Sequence, residues 1–159
     1  MGRITPAAYA SVQRRPEVLP DGPARADPDG GWRFEAGDQR ASVPYGFRIG
    51  SNDEFGIHGN NWAPLHASVE GWFESVALEY TARRWAPNIK TIEGTAVDDI
   101  NLTGMDPVPE VAGLADTWWR GEDAVIAIYR GEALALGFPA AQRATIYADI
   151  PELPIFLDF

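Results

Sequence analysis

Apolar and polar residues alternate along "ASVPYGFRIG" at 41–50, where Val43, Tyr45, Phe47 and Ile49 share one side of an extended chain. A period of two predicts a strand. Pro44 cannot donate to a ladder, so that strand is expected at a sheet edge or to open with a bulge. "SNDE" supplies turn chemistry and "FGIHG" a returning strand, so residues 43–58 read as a β-hairpin. "WRFE" at 32–35 predicts a short strand before it. The period then changes. Val69, Trp72, Phe73, Val76, Ala77 and Tyr80 follow i, i+3, i+4, i+7, i+8, i+11, the stripe of an amphipathic helix over 68–85. Ser68 is its expected N-cap, and Glu70 suits the positive end of the helix dipole. Glu79 and Arg83 stand i, i+4 in the favourable order, and Pro87 ends the run soon after Trp85. Gly71 conflicts with helix propensity by about 1 kcal/mol relative to Ala. A glycine there suits close approach of a strand or another chain.

Beyond the helix, "IKTIEGTAV" at 89–97 predicts a strand. "PVPEVAGLADTWW" at 107–119 carries Val111, Leu114, Ala115, Trp118 and Trp119 at helical spacing, with Asp106 as candidate N-cap and prolines suited to a first turn. "DAVIAIYR" and "EALALGF" read as a hairpin around Arg130 and Gly131, and "RATIYADI" at 143–150 as a last strand. The order β-β-β-α-β-α-β-β-β predicts an α+β fold: a mainly antiparallel sheet with two amphipathic helices packed on it. Residues 1–31, rich in Pro and Gly, are expected to form an irregular arm with one short helix over "PAAYASVQRR". The domain itself is placed at 32–159. The tail "PELPIFLDF" is apolar at its end, which suggests that it packs on the domain or docks on something else.

Composition narrows the function. With 159 residues, 45% of them hydrophobic, the chain has enough for one packed core. The apolar runs are far short of a membrane span, and "MGRITPAAYASVQRRPEVLP" lacks the apolar region of a secretory signal, so a cytoplasmic protein with no membrane partner is expected. The absence of cysteine removes disulfides, thiolate catalysis and Cys-based zinc sites. A net charge of −10 disfavours direct nucleic-acid binding, which needs clustered Lys or Arg on phosphates. Acid concentrates between Thr91 and Asp123: Glu93, Asp98, Asp99, Asp106, Glu110, Asp116, Glu122 and Asp123 stand against Arg120 alone. Such a run is a solvated face or a surface that steers a basic partner.

Candidate chemistry is thin. His58 and His66 lie eight apart with Asp53 and Glu54 nearby, but nothing in the spacing forces them together, and no metal or cofactor is expected. Ser68 with His58 and an Asp makes a triad only on paper, because no G-x-S-x-G turn is present. Asp98 and Asp99, adjacent on a strand, would point to opposite faces. The glycines of "GIHGNNW" lack the following Lys of a phosphate loop. "TWWRGED" is the sharper signal. On a helix Trp118 and Trp119 stand about 100° apart, so at least one is expected at a rim or interface. Arg120 follows, with Asp116, Glu122 and Asp123 around it, and Trp and Arg are the residues interfaces favour.

Residues 43–80, a hairpin running into "FGIHGNNWAPLHASVEGWFESVAL", resemble the strand–strand–helix segment of the SUKH superfamily. The corresponding positions are Ser68 at the helix start, with Val69, Trp72 and Phe73 in its first turns. The resemblance implies an α+β protein without catalytic residues: a bacterial immunity protein that neutralises a toxin, often a nuclease, or an interaction scaffold. The chain departs from that pattern in its N-terminal part and in the nearly eighty residues after the helix. The expected function is a non-catalytic protein-binding domain, with Trp118, Trp119, Arg120, Asp116, Glu122 and Asp123 as contacts. One rival is a small enzyme or ligand-binding domain whose pocket is lined by His58, Trp62, His66 and Trp72. The other is a structural, oligomer-forming protein that docks through its arm and tail.

Overall fold

The computed structural model describes residues 46–150 and the backbone of two short strands before them. The helix expected over "PAAYASVQRR", the positions Val43, Pro44 and Tyr45, and the tail 151–159 lie outside the described residues. The fold is α+β and mainly antiparallel, as the alternating segments imply. One sheet runs β1 (Arg25–Ala26), β2 (Trp32–Phe34), β3 (Gly46–Ile49), β4 (Phe55–His58) and β5 (Trp62–His66), each strand pairing antiparallel with the next. The long helix α1 (Val69–Trp85) follows. The second sheet contains β6 (Asn88–Glu93), β7 (Asp106–Pro107), β8 (Asp116–Arg120), β9 (Val125–Tyr129) and β10 (Arg143–Ala148), in the spatial order β6-β10-β9-β8-β7. A short helix α2 (Gly131–Leu136) joins β9 to β10 by way of a 3₁₀ turn at Pro139–Ala141.

The expected hairpin forms as β3 and β4, with Phe47 opposite Ile57 and Ile49 opposite Phe55. On β5 the register slips. Phe55 pairs with His66 but Gly56 pairs with Pro64, so Leu65 is an extra residue. Such a bulge lets two consecutive side chains turn inward. Leu65 and His66 are both buried accordingly.

Helix α1 begins as its sequence predicts: the Gly71 N–H donates to Ser68 Oγ at 3.1 Å. The expected stripe is only half of its buried surface. Val69 and Trp72, with Phe73 and Val76 beside them, pack on the first sheet, and the Trp72 ring stacks on Phe55 at 4.3 Å and 12°. Tyr80, at the far end of that stripe, is more than half exposed. A second buried row, Gly71, Ser75, Leu78 and Ala82, lies on another side of the helix. Leu78 and Ala82 there meet Trp118, Val125, Ala127 and Tyr147 of the second sheet. Hydrophobic periodicity cannot show this row, because three of its four residues are Gly, Ser and Ala. Their small size is what lets the backbone come close: a Cβ at Gly71 would run into the Val111 carbonyl. The close approach inferred for Gly71 is therefore to a 3₁₀ turn of its own chain, Pro109–Val111.

Three expectations are corrected. Residues 107–119 do not form a helix; they comprise part of β7, the Pro109–Val111 turn and most of β8. Asp116 and Trp118 point to one face of β8 and Thr117 and Trp119 to the other, so period two wins over 3.6 once Val125–Tyr129 is available as a partner. "EALALGF" is no strand. It makes α2, which ends in a Schellman motif: Gly137 is left-handed, its N–H reaches the Leu134 carbonyl, and the Phe138 N–H reaches that of Ala133. Asp98 and Asp99 sit in a 3₁₀ turn, Gly94–Asp99, after β6 has ended at Glu93.

The two sheets are stitched together by backbone bonds. Leu114 N–H donates to Leu65 O at 2.8 Å and Ala67 N–H to Ala112 O at 2.8 Å, so residues 112–115 run along the edge of β5. The second sheet is covered by α1 on one face. On the other face, Val97, Ile100, Leu102 and Met105 pack on Ile126, Ile128 and Ala144. Burial on both sides explains why β9 reads as an unbroken apolar run, "VIAIY". No helix among the described residues is long and apolar enough to cross a membrane.

Candidate functional site

The Trp-containing acidic patch expected around 116–123 divides on folding. Trp118 is 1% exposed: its ring stacks on Tyr147 at 5.9 Å and 6°, and its Nε1–H donates to Ser75 Oγ at 2.8 Å. Asp116 is 2% exposed, and its Oδ1 accepts the Gly131 N–H at 3.0 Å, at the start of α2. These two belong to the interior, so as contact residues they are corrected: no partner reaches them while the sheet stands. Trp119 is half-buried on the opposite face against Ile126, Ile146 and Met105, with its Nε1–H on Thr117 Oγ1 at 3.1 Å. Arg120, Glu122 and Asp123 are exposed at the β8–β9 turn, with exposed Asp106 facing Arg120 across the ladder. The acid that is continuous in sequence is also divided in space. Glu93 pairs with Arg143 at 2.8 Å, and Asp98 with Arg130 at 3.4 Å. The acidic corner is therefore Asp106, Glu122 and Asp123 around Arg120.

The histidine pocket does not assemble. His58 is exposed at the end of β4, opposite Trp62. His66 is 1% exposed, with Nδ1 2.7 Å from the Val111 carbonyl, which fixes a proton on that nitrogen. Trp72 and His66 flank Phe55 in the core. Trp62 packs across Gly56, with the Arg48 guanidinium 5.9 Å from its ring centroid, on the side of the sheet away from Phe55 and Ile57. The four residues thus fall on two faces of one sheet. Among the described residues no group of three His, Cys, Asp or Glu side chains could hold a metal. Ser68 is occupied in capping α1. The "GNN" loop binds α2 instead of an anion: Asn61 N–H donates to Ala135 O at 2.9 Å, and Asn60 Nδ2 to Leu136 O at 3.2 Å. A hollow of about 310 Å³ opens elsewhere, between Pro107, Pro109, Ala112 and Leu114 with Trp118 behind. Its lining is apolar apart from Thr117 and carries no titratable side chain.

One surface went unseen in the sequence. Leu78, Ala82 and Trp85 stand i, i+4, i+7, so Trp85 continues the row that faces the second sheet. β6 is the edge strand of that sheet. Trp85 is 59% exposed, and Ile89, on the same face of the edge strand β6, is 44% exposed. Beside them Tyr147 lies opposite Ile89, and the Arg83 guanidinium sits 6.0 Å from its ring centroid. Burial alone would lower the Arg83 pKa, but Tyr147, Glu79 and Tyr129 together hold it above its ordinary value. The signal for this step was available: a tryptophan two helical turns beyond Leu78, followed at once by "APNIK". Only the position of the sheet edge shows that nothing among the described residues covers it.

The class this geometry defines is an α+β protein in which one helix lies against two antiparallel sheets, with an apolar step at one edge and an acidic corner at a turn. No family model, curated protein or solved structure matches the chain.

Proposed function

We propose that the chain is a non-catalytic protein-binding domain, immunity-like or adaptor, acting in the cytoplasm. The observation that carries this reading is the apolar step of Trp85 and Ile89, left in water on a chain of net charge −10. The two stand four residues apart, across the turn from α1 into β6, and Trp is the side chain most enriched where binding energy concentrates. The acidic corner of Asp106, Glu122 and Asp123 supplies the complementary property, attraction of a basic partner such as a nuclease toxin over several ångströms of solvent. Residues 46–85 run as three strands and a Ser68-capped helix, so β5 is added to the strand–strand–helix order of the SUKH resemblance; the capped helix with Val69, Trp72 and Phe73 in its first turns supports the immunity-like form of the proposal.

The experiment is retention of a partner from source-cell extract by the tagged full chain. Trp85→Ala is expected to weaken retention by about thirtyfold, the effect of losing a hot-spot tryptophan. Glu122→Lys with Asp123→Lys is expected to slow association and to flatten its salt dependence. Both variants change exposed residues, so their thermal midpoints should match wild type. Failure to retain any protein, or equal retention by wild type and both variants, would sink the reading.

A further inference from the structure

The geometry points to strand addition at β6: the edge accepts an extended segment of another protein, apolar on the side facing α1 and carrying a carboxylate on the other. This inference rests on the protein-binding reading and names the surface and the chemistry of the partner. Among the described residues β6 pairs only with β10. The phase of that ladder follows from one bond just past its end, Gly94 N–H to Gln142 O at 2.9 Å. In an antiparallel pair, hydrogen-bonded residues alternate. Gly94, Ile92, Lys90 and Asn88 therefore direct their backbone groups to β10, and Ile89, Thr91 and Glu93 direct theirs outward. Those outward groups form a ready ladder for one more strand.

The side chains say what that strand must carry. Ile89 lies opposite Tyr147, on the α1 side, and is exposed there. An aliphatic or aromatic residue beside Ile89 would cover its exposed side chain. Lys90, the chain's sole lysine, projects from the opposite face and makes no ion pair among the described residues. A carboxylate on the incoming strand would lie within cross-strand reach of it. A second copy of the chain fits poorly. Two β6 strands related by a twofold at Thr91 would set Lys90 diagonal to its own copy, like charge against like on one face. A lysine at mid-edge is a common guard against self-pairing, and it becomes an anchor when the newcomer is acidic on that face.

The test uses the full chain and a synthetic seven-residue peptide of alternating valine and glutamate, with a control in which lysine replaces glutamate. Amide exchange followed by NMR should slow at Ile89, Thr91 and Glu93, while Lys90 and Ile92, already bonded to β10, keep their rates. The glutamate peptide should bind about fivefold tighter than the lysine peptide, the upper range for one exposed ion pair, and Lys90→Glu should reverse that order. Thr91→Pro removes an outward N–H without touching the β10 ladder, a position where an edge strand tolerates proline. It should abolish binding with an unchanged thermal midpoint, and if it unfolds the chain, Ile89→Arg serves in its place. Slowing that does not alternate, equal affinity for both peptides, or no effect at the three outward amides at millimolar peptide each overturns strand addition. If the peptides fail while Trp85→Ala still loses the cellular partner, strand addition falls and the protein-binding reading stands.

Discussion

Replacing Gly71 by alanine sets two effects of opposite sign against each other. In an exposed helix the change is stabilising, by about 1 kcal/mol of propensity. Here the new methyl group would meet the Val111 carbonyl oxygen, with the Val111 carbon 2.9 Å and the Ala112 Cβ 3.0 Å away. The obstacle is backbone, and it is tied down. Val108 N–H holds Trp118 O at 2.8 Å, Ala67 N–H holds Ala112 O at 2.8 Å, and His66 Nδ1–H holds the Val111 carbonyl itself. Ala112 already sits in the left-handed region at φ 43°, so the turn has little freedom to recede. Overpacking of this kind costs about 1–3 kcal/mol, which exceeds the propensity gain. The expected net loss is about 1 kcal/mol, a fall of roughly 2–4 °C in the thermal midpoint for a chain of this size. Differential scanning calorimetry of Gly71→Ala beside wild type reads it directly. A midpoint that rises would mean that α1 does not approach the Pro109–Val111 turn as described, and the account of the small-residue row would be wrong.

Ser75→Ala should cost about 1–2 kcal/mol in urea unfolding, because it leaves the buried Trp118 indole N–H without its acceptor. In a Trp118→Phe background, where that donor is gone, the same change should cost less. Asp116→Ala should lose about 1–2 kcal/mol through the lost acceptor for Gly131 N–H, while Asp116→Asn, which keeps an acceptor oxygen, should lose less; chemical denaturation separates the two. An equal loss for both would show that charge, not the hydrogen bond, is what matters there.

The elements legible in the chain are those whose own pattern admits one answer. The β3–β4 hairpin and β10 satisfy a period of two, the short β-branched run of β9 is bounded by turns, and the start of α1 carries its cap, and each appears where those signals place it. The misread segments admit two answers. "ADTWWR" fits a helix by its tryptophans and a strand by its alternation, and "EALALG" fits a strand by alternation and a helix by Ala, Leu and Glu content with a terminal glycine. Candidate site residues suffered from the same ambiguity. Once residues 116–120 are extended, Trp118 and Trp119 stand on opposite faces, and only Arg120, Glu122 and Asp123 remain fully outside.

The chain by itself determined the α+β class, the cap at Ser68 and an acidic exterior, because alternation, capping chemistry and charge are properties of neighbouring residues. Tertiary structure decided the rest. Ladder bonds from Val125–Tyr129 made residues 116–120 a strand, and the Asp116 carboxylate meets the first N–H of the short helix at 131–136. Contact between sheets across a Gly, Ser and Ala row gave α1 its second buried side. The place of β6 at the edge of the second sheet left Ile89 exposed, and Trp85 at the end of α1 is exposed beside it in the chain. These outcomes depend on partners far away in sequence, and no local period encodes where a sheet stops.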